Sequence, residues 1–318
     1  MVFGVAAYVL WGLFPLYWPL LKPATAVEIV SHRIMWSLVA FLAILAVGRN
    51  WSWIRTLDRR KIGLLALASV FISINWCVYI YAVNTGKTIE ASLGYFINPL
   101  ISILFGVFIF RERLRRWQWV AVGLGTAAVA VLTVDYGRLP YIALTLACSF
   151  GVYGLLKKFV SMPSAEGLAV ETTVMFVPAA AVSIVLQAHG TASFGHHGSG
   201  NMALLALSGV VTAIPLLLFN ASAVRVPMST IGLLQYLAPI LQFLIGLFVQ
   251  HEEMPASRWA GFLLVWAALI VLTVDGLLTG RRTRRLARQS AAPEPAAAPS
   301  TTAVPAPSGS DPVAEPAT

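Results

Sequence analysis

The sequence predicts an all-α polytopic membrane protein with ten transmembrane helices, arranged as two inverted-topology repeats of five helices. Three observations predict this fold: recurring apolar stretches, a shortage of charged residues, and an internal repeat. Of the 318 residues, 58% are hydrophobic and only 11% are charged, with a mean hydropathy of +0.79. A soluble domain carries roughly 25% charged residues. A chain with so little polar surface must face lipid over most of its exterior.

Ten apolar stretches are each long enough to cross a hydrocarbon layer roughly 30 Å thick as a helix. They lie at about 2–21, 26–48, 62–83, 89–110, 117–135, 139–156, 167–188, 202–223, 229–250 and 258–279. The connections are short, except for a basic loop at 49–61, a His/Gly/Ser loop at 189–201 and the tail after Arg288. The first stretch outruns the apolar core of a secretory signal, and no basic residue precedes it, so we expect a retained helix.

The basic residues predict the orientation of the helices. Lys and Arg accumulate in short cytoplasmic loops. With the N-terminus inside, 17 basic residues fall on the cytoplasmic side and 4 on the external side. We therefore expect both termini to be cytoplasmic. The net charge of +9 is spread over short loops beside lipid, so we expect no nucleic-acid partner.

The internal repeat has an offset of 140 residues, which places Pro99 opposite Pro239. It ends with Val-Leu-Thr-Val-Asp at 131–135 and again at 271–275. Each half therefore holds five helices, and because five is odd, the second half must enter the membrane from the opposite side. We assign 1–137 to the first repeat and 138–280 to the second. The remaining 281–318 form a cytoplasmic tail, basic at first and then Ala/Pro-rich and disordered from 289 onward.

Several motifs resemble the drug/metabolite transporter superfamily, within it the EamA type, and most closely the RarD subfamily. They are Ala-Tyr-Val-Leu-Trp-Gly-Leu-Phe-Pro at 7–15, Glu-Ile-Val-Ser-His-Arg-Ile-Met-Trp-Ser at 28–37 and Glu-Ala-Ser-Leu-Gly-Tyr-Phe-Ile-Asn-Pro-Leu at 90–100. The resemblance covers about residues 4 to 280. It implies a multi-pass permease or exporter of small molecules in the plasma (inner) membrane. Its cavity would be lined by the first four helices of each half, with the fifth and tenth helices peripheral.

Arg33 is the leading candidate for substrate binding. A charge within a span costs at least about 2.5 kcal/mol near its centre, and Arg33 lies seven residues, roughly 10 Å, beyond Ala26 along the second helix. It could hold an anionic substrate group, and His32 beside it could change charge near physiological pH. Alternatively, Arg33 pairs with a carboxylate or extends its charge to the membrane surface.

Three carboxylates are candidates for coupling or gating. Glu28 and Glu171 are related by the repeat and could be gate or proton sites, although an acid near a helix N-terminus is also favourable through the helix dipole. Glu90 could carry a proton or could form an interfacial ion pair with Lys87.

Polar and aromatic residues within the spans could line the cavity or join helices. The substrate-binding or coupling candidates of this kind are Asn75, Trp76, Asn98, Tyr95, Gln235, Tyr236 and Trp11. Pro99 and Pro239, which we expect in the middle of their helices, are hinge candidates.

These features predict a secondary transporter that works by alternating access, driven by an ion or substrate gradient because no Walker A motif is present. We expect a small-molecule substrate and the lipid bilayer as partners, and no catalytic residues, cofactor or metal. A homodimer remains open. The alternatives are a membrane scaffold and a lipid-modifying enzyme.

Overall fold

In the described part of the chain, the computed structural model is helical throughout and contains no strand. The structure describes residues 1–48, 54–55, 57–111, 113–160, 162, 164–223, 225 and 228–290. The helices are α1 Val2–Gly12, α2 Phe14–Tyr17, α3 Ala26–Gly48, α4 Arg59–Asn84, α5 Thr88–Phe110, α6 Arg116–Tyr136, α7 Tyr141–Val160, α8 Ser164–Ala188, α9 Gly198–Ala223, α10 Met228–Leu234, α11 Leu237–Phe248 and α12 Ala256–Ser290, with a 3-10 turn at Trp18–Leu21.

Eight of these helices are long and apolar enough to cross a membrane, within the residues described. A ninth span results if Val2–Gly12 and Phe14–Leu21, bent by 40°, are taken together. The remaining predicted span, the ninth at 229–250, is divided into α10 and α11, and α11 is a shorter apolar helix of 12 residues. A multi-pass membrane protein is therefore confirmed, while the count of ten stays a prediction.

Local sequence explains where several helices begin and end. The carboxylate of Asp58 accepts a hydrogen bond from the Lys61 N–H at 2.7 Å and caps the start of α4. At the end of α6, Gly137 takes a left-handed conformation with φ of 62° that a side chain would disfavour. The apolar faces of the helices supply the core, which is formed where helices of the two predicted halves meet.

The two predicted halves are interleaved. Helices α4 and α5 pack on α7, α3 packs on α8 and α9, and α1 packs on α9 and α11. The contact between α3 and α9 is close, because a Cβ on Gly209 would lie 2.3 Å from the backbone carbonyl carbon of Trp36. Helices from both halves therefore form one core.

Two expectations about local structure change. Pro99 lies inside α5, as predicted, but Pro239 is the third residue of α11 and not in the middle of a helix. A backbone N–H in the first turn of a helix has no carbonyl partner within that helix, so a proline there removes no helical hydrogen bond. The tenth helix is also longer than predicted, because α12 continues to Ser290 through the basic segment.

Residues 1–277 form one compact unit and residues 278–318 a second. The candidate site lies wholly in the first. The second begins with the end of α12, and the rest of the predicted tail, 291–318, lies outside the described residues.

Candidate functional site

Arg33 is enclosed by aromatic side chains. It lies on α3 and is only 3% exposed. Its guanidinium carbon is 3.9 Å from the centre of the Trp76 ring, 5.1 Å from that of Trp18 and 5.6 Å from that of Phe14. We call Arg33 and these three residues the arginine cage. Cation–π contacts of this kind stabilise a desolvated guanidinium by about 2 kcal/mol or more.

No carboxylate neutralises Arg33 among the described residues. None of the four ion pairs found there includes it, and its Nε atom is buried without a hydrogen-bond partner. At 3% exposure it does not extend to solvent either. Both structural alternatives raised for Arg33, pairing with a carboxylate and reaching the surface, are therefore absent here.

A hydrogen-bonded pair of polar residues lies next to the cage. The amide of Asn75, on α4, donates to the carbonyl oxygen of Leu146 at 3.0 Å and to Oγ of Ser149 at 3.1 Å, both on α7. Its Oδ1 accepts a hydrogen bond from the Tyr95 hydroxyl at 2.9 Å. Tyr95 and Trp76 both pack against the apolar cluster that contains Phe14 and Trp18. The Asn75–Tyr95 pair thus joins α4, α5 and α7 beside the arginine cage.

A cavity of about 360 Å³ lies between α5 and α7. It is lined by Asn98, Ser102, Phe105, Gly106, Phe150, Gly151, Gly154, Leu155 and Lys158. The Oδ1 atom of Asn98 is buried there without a hydrogen-bond partner in the described structure. The Phe150 ring also contacts Tyr95, with 6.0 Å between ring centres. Tyr95 therefore lies between this cavity, which we call the α5–α7 cavity, and the arginine cage.

Hydrogen bonds join the two predicted halves at the end of the bundle where α3, α5, α7 and α9 begin. Glu28, which is 1% exposed, accepts the N–H groups of Ser193 and Phe194 at 2.7 and 3.0 Å. Nearby, the Tyr17 hydroxyl donates to the carbonyl oxygen of Leu204 at 2.6 Å. Glu28 therefore joins the start of α3 to the loop between α8 and α9.

Glu252 makes the reciprocal contact from the second half of the chain. Its carboxylate accepts the N–H groups of Thr88 and Ile89, the first two residues of α5. Burial raises the pKa of Glu252 above its ordinary value, even though these N–H groups favour the charged form. Each half thus supplies one carboxylate that binds two successive N–H groups of the other half.

Glu90 joins α5 to the start of α7 at the same end. Its Oε2 pairs with Arg138 at 3.1 Å, and its Oε1 accepts the Ile142 N–H at 3.3 Å. The expected partner, Lys87, instead lies 5.7 Å from the centre of the Tyr81 ring. Glu90 is therefore held by partners on two sides.

Glu171 lies toward the opposite end, where α7 ends. Its Oε1 pairs with the Lys157 ammonium at 2.6 Å, and its Oε2 accepts the Tyr153 hydroxyl at 3.3 Å. Glu171 also borders a small cavity beside Trp76, of about 10 Å³, roughly the volume that one water needs. Glu171 and Trp76 of the arginine cage thus line the same small cavity.

The remaining candidates have other contacts. The His32 ring stacks on Phe194 with 4.5 Å between centres. Trp11 contacts Tyr8 and Phe219 and packs against the apolar cluster that contains Phe14 and Trp18. Gln235 and Tyr236 occupy the break between α10 and α11. The structure therefore brings together Arg33, Trp76, Tyr95 and Asn75, with Asn98 one helical turn away from Tyr95.

Sequence reasoning missed Phe14, Trp18 and Glu252. The spacing of Phe14 and Trp18 places them one helical turn apart, which could have predicted a shared face. Glu252 had no such signal, because its partners are more than 160 residues away along the chain.

Comparisons with known proteins agree on a transporter. The model of the EamA-like transporter family matches residues 1–134. The chain is 57% identical to Protein RarD of Streptomyces exfoliatus over 89% of this chain and 91% of that protein, and 40% identical to Protein RarD of Escherichia coli (strain K12) over 90% and 97%. It is 46% identical to an uncharacterized transporter, YojE of Bacillus subtilis (strain 168), over 86% and 93%. A crystal structure with 21% identity shares the fold, with a TM-score of 0.57 over 89% of this chain and 97% of that one.

Proposed function

We propose that this chain, which belongs to the EamA-like transporter family, is a secondary transporter that moves a small metabolite or drug-like molecule by alternating access. The observation that carries the proposal is the asymmetry of the bundle. The α5–α7 cavity lies toward one end, the arginine cage lies beside it, and the other end is closed by carboxylates that join the two halves. Alternating access requires one closed and one accessible side around a central site.

Two ion pairs support an inverted repeat. Asp135, which ends the first Val-Leu-Thr-Val-Asp copy, pairs with Arg258 near the start of α12 at 3.0 Å. Asp275, which ends the second copy, pairs with Arg115 just before α6 at 3.4 Å. The end of each helix thus meets the beginning of the other, as antiparallel copies would require.

The helix contacts support the same symmetry. The repeat makes α1 equivalent to α7, α4 to α9, and α5 to the α10–α11 segment. Helices α4 and α5 pack on α7, and their equivalents α9 and α11 pack on α1. Exchanging the two halves therefore reproduces these contacts, which favours two five-helix repeats with boundaries near 137 and 280.

The charge distribution supports an orientation with both termini cytoplasmic, in the plasma (inner) membrane. In that orientation the cavity faces the cytoplasm. Lys158, which lines the cavity near the end of α7, lies on the side of the membrane where the basic residues accumulate. The partners proposed are a small-molecule substrate and the bilayer, with no nucleic acid and with a homodimer left open.

We further propose that Glu171 couples transport to protons. It borders the water-sized cavity beside Trp76, so a proton released there lies near the substrate site. Glu90 is fixed between Arg138 and the Ile142 N–H, which suits a structural role.

Uptake into proteoliposomes, measured for a metabolite panel with and without a pH gradient, tests the proposal. We expect gradient-dependent uptake of at least one compound, lost in Glu171→Gln and retained in the matched Glu90→Gln variant. If Glu171→Gln kept its response to the gradient, the coupling role would be wrong. If no compound moved, the membrane scaffold would replace the transporter, and chemical conversion of an added lipid would indicate a lipid-modifying enzyme.

A further inference from the structure

The charge of Arg33 is unbalanced in the described structure. A guanidinium stays charged in proteins, and a buried charge is strongly destabilising unless an opposite charge or hydrogen bonds compensate for it. Aromatic rings supply part of that compensation in the arginine cage. The Nε atom of Arg33 has no hydrogen-bond partner among the described residues. The cage therefore holds a positive charge that no described protein group neutralises.

Two further buried groups beside Arg33 lack hydrogen-bond partners in the described residues. They are the indole Nε1 of Trp18 and the hydroxyl of Tyr79. Trp18 belongs to the cage, and Tyr79 lies in the same buried apolar cluster as Trp18 and Phe14. The nearby hydroxyls of Tyr17 and Tyr95 are already committed, since they donate to Leu204 and Asn75. Arg33 Nε, the Trp18 indole and the Tyr79 hydroxyl are thus three unpartnered donors in this part of the core, and donors are the groups that bind an anion.

The cage also restricts the shape and charge of that anion. The Trp76 ring centre lies 3.9 Å from the guanidinium carbon, which is a stacking distance, and stacking on a face leaves the N–H edge for a ligand. A planar carboxylate meets such an edge with two parallel hydrogen bonds. One cation balances one negative charge, and His32 faces Phe194 and adds no second charge to the cage.

The residues between the α5–α7 cavity and the cage favour a ligand whose uncharged part is apolar. The α5–α7 cavity, with Phe105 and Phe150 among its lining residues, is separated from the cage by Tyr95. A carboxylate group at Arg33 would have the aromatic rings of the cage around the adjoining part of its molecule.

We infer that the arginine cage is the binding site for the carboxylate of a small apolar monocarboxylate, which enters from the α5–α7 cavity past Tyr95. This inference rests on the proposed transport function for its physiological setting, but the binding site itself can be tested on the purified protein without transport.

Tryptophan fluorescence of the purified full chain in detergent provides the readout, because Trp18 and Trp76 contact Arg33. The probes are phenylacetate, the neutral phenylacetamide, the cationic phenethylamine and inorganic phosphate. We expect saturable quenching by phenylacetate at millimolar concentrations or below, with at least about tenfold weaker binding of the other three. Equal binding of acid and amide, preference for phosphate, or no binding of phenylacetate would overturn the inference.

Variants locate the site. Arg33→Gln removes the charge and Arg33→Lys keeps the charge without the planar fork, so we expect phenylacetate affinity to fall about tenfold or more in both. Arg225→Gln is the matched control, because Arg225 is exposed and its loss changes the net charge equally. Unchanged affinity in a folded Arg33→Gln protein would overturn the assignment. If that variant does not fold, Arg33→Lys and the acid–amide comparison in the wild-type protein decide.

The binding and transport outcomes are separable. Arg33-dependent binding of phenylacetate in a protein that moves no compound would keep this inference and remove the proposed function. Transport of neutral compounds alone, unaffected by Arg33→Gln, would keep the function and remove the inference.

Discussion

At the scale of single residues, the buried charges fall into two groups. The carboxylates of Glu28, Glu90 and Glu171 each accept hydrogen bonds or pair with a cation, and each joins two parts of the chain. Arg33 is equally buried but has no such partner in the described structure. Partners of this kind stabilise a buried charge, and Glu171 in addition borders a water-sized cavity, whereas a buried charge without a partner is available to a ligand. This contrast separates Arg33 from the other charged candidates.

Glu28 provides the residue-scale prediction. In Glu28→Ala, the N–H groups of Ser193 and Phe194 lose their acceptor, and leaving buried donors unpaired costs about 2 kcal/mol. We expect the melting temperature of the purified protein to fall by roughly 5 °C, with faster amide exchange at these two positions.

Glu253→Ala is the control, since it removes an acid that is exposed at the same end of the bundle. Equal melting temperatures for Glu28→Ala and the wild-type protein would show that this carboxylate does not join the two halves.

Sequence alone could identify Arg33, because a charge in an apolar span is conspicuous. It could not decide between an ion pair and a ligand site, since that depends on which side chains other helices bring near it. Phe14 and Trp18 come from a neighbouring segment and Trp76 from α4. For Glu28 the sequence suggested a gate or proton site, or a favourable interaction with the helix dipole. Its partners in the structure are backbone N–H groups, and because nearly every residue carries one, no sequence pattern identifies them.

At the scale of helices, close approach depends on small residues. A Cβ on Gly209 of α9 would lie 2.3 Å from the Trp36 carbonyl carbon and 2.6 Å from the Ser37 nitrogen of α3. Backbone atoms cannot move aside as a flexible side chain can. We therefore expect Gly209→Ala to separate α3 from α9 and to destabilise the protein by about 1–3 kcal/mol, measured by thermal unfolding.

Gly63→Ala makes the same substitution on α4, where a Cβ would meet nothing within 4 Å. Ala favours a helix over Gly by about 1 kcal/mol, so the melting temperature should stay the same or rise. The same direction of change in both variants would contradict the close packing of α3 and α9.

Apolar length predicted the helices of the middle of the chain well, including α3 and α8, whose first turns carry polar residues. It did not predict the 40° bend in the first span or the division between α10 and α11. Hydropathy registers how apolar a stretch is, whereas these breaks depend on backbone geometry. Pro239 illustrates this, since a proline that looks internal to an apolar run in fact belongs to the first turn of a helix.

At the scale of the whole molecule, the proposed function requires the two ends of the bundle to differ in accessibility. Ser102 is exposed and lines the α5–α7 cavity. After replacement of Cys77 and Cys148 by serine, we expect Ser102→Cys in inside-out vesicles to react with a membrane-impermeant thiol reagent. In right-side-out vesicles the reaction should be at least about tenfold slower, because the charge bias places this cavity on the cytoplasmic side.

A cysteine at Ser199, the second residue of α9 and exposed like Ser102, serves as the matched position at the opposite end and should show the opposite preference. Labelling of Ser102→Cys only from the outside would reverse the orientation, and equal labelling from both sides would show that the opposite end is not closed.

The two ion pairs between α6 and α12 have a mechanical consequence. Asp135–Arg258 lies at one end of this helix pair and Asp275–Arg115 at the other, while Leu132 packs directly over Gly261 between them. Sliding one helix along the other by a single turn, about 5.4 Å, would separate both pairs at once. The α6–α12 helix pair therefore resists sliding of one helix along the other. The two helices can still tilt together as one rigid body while the remaining helices move relative to them.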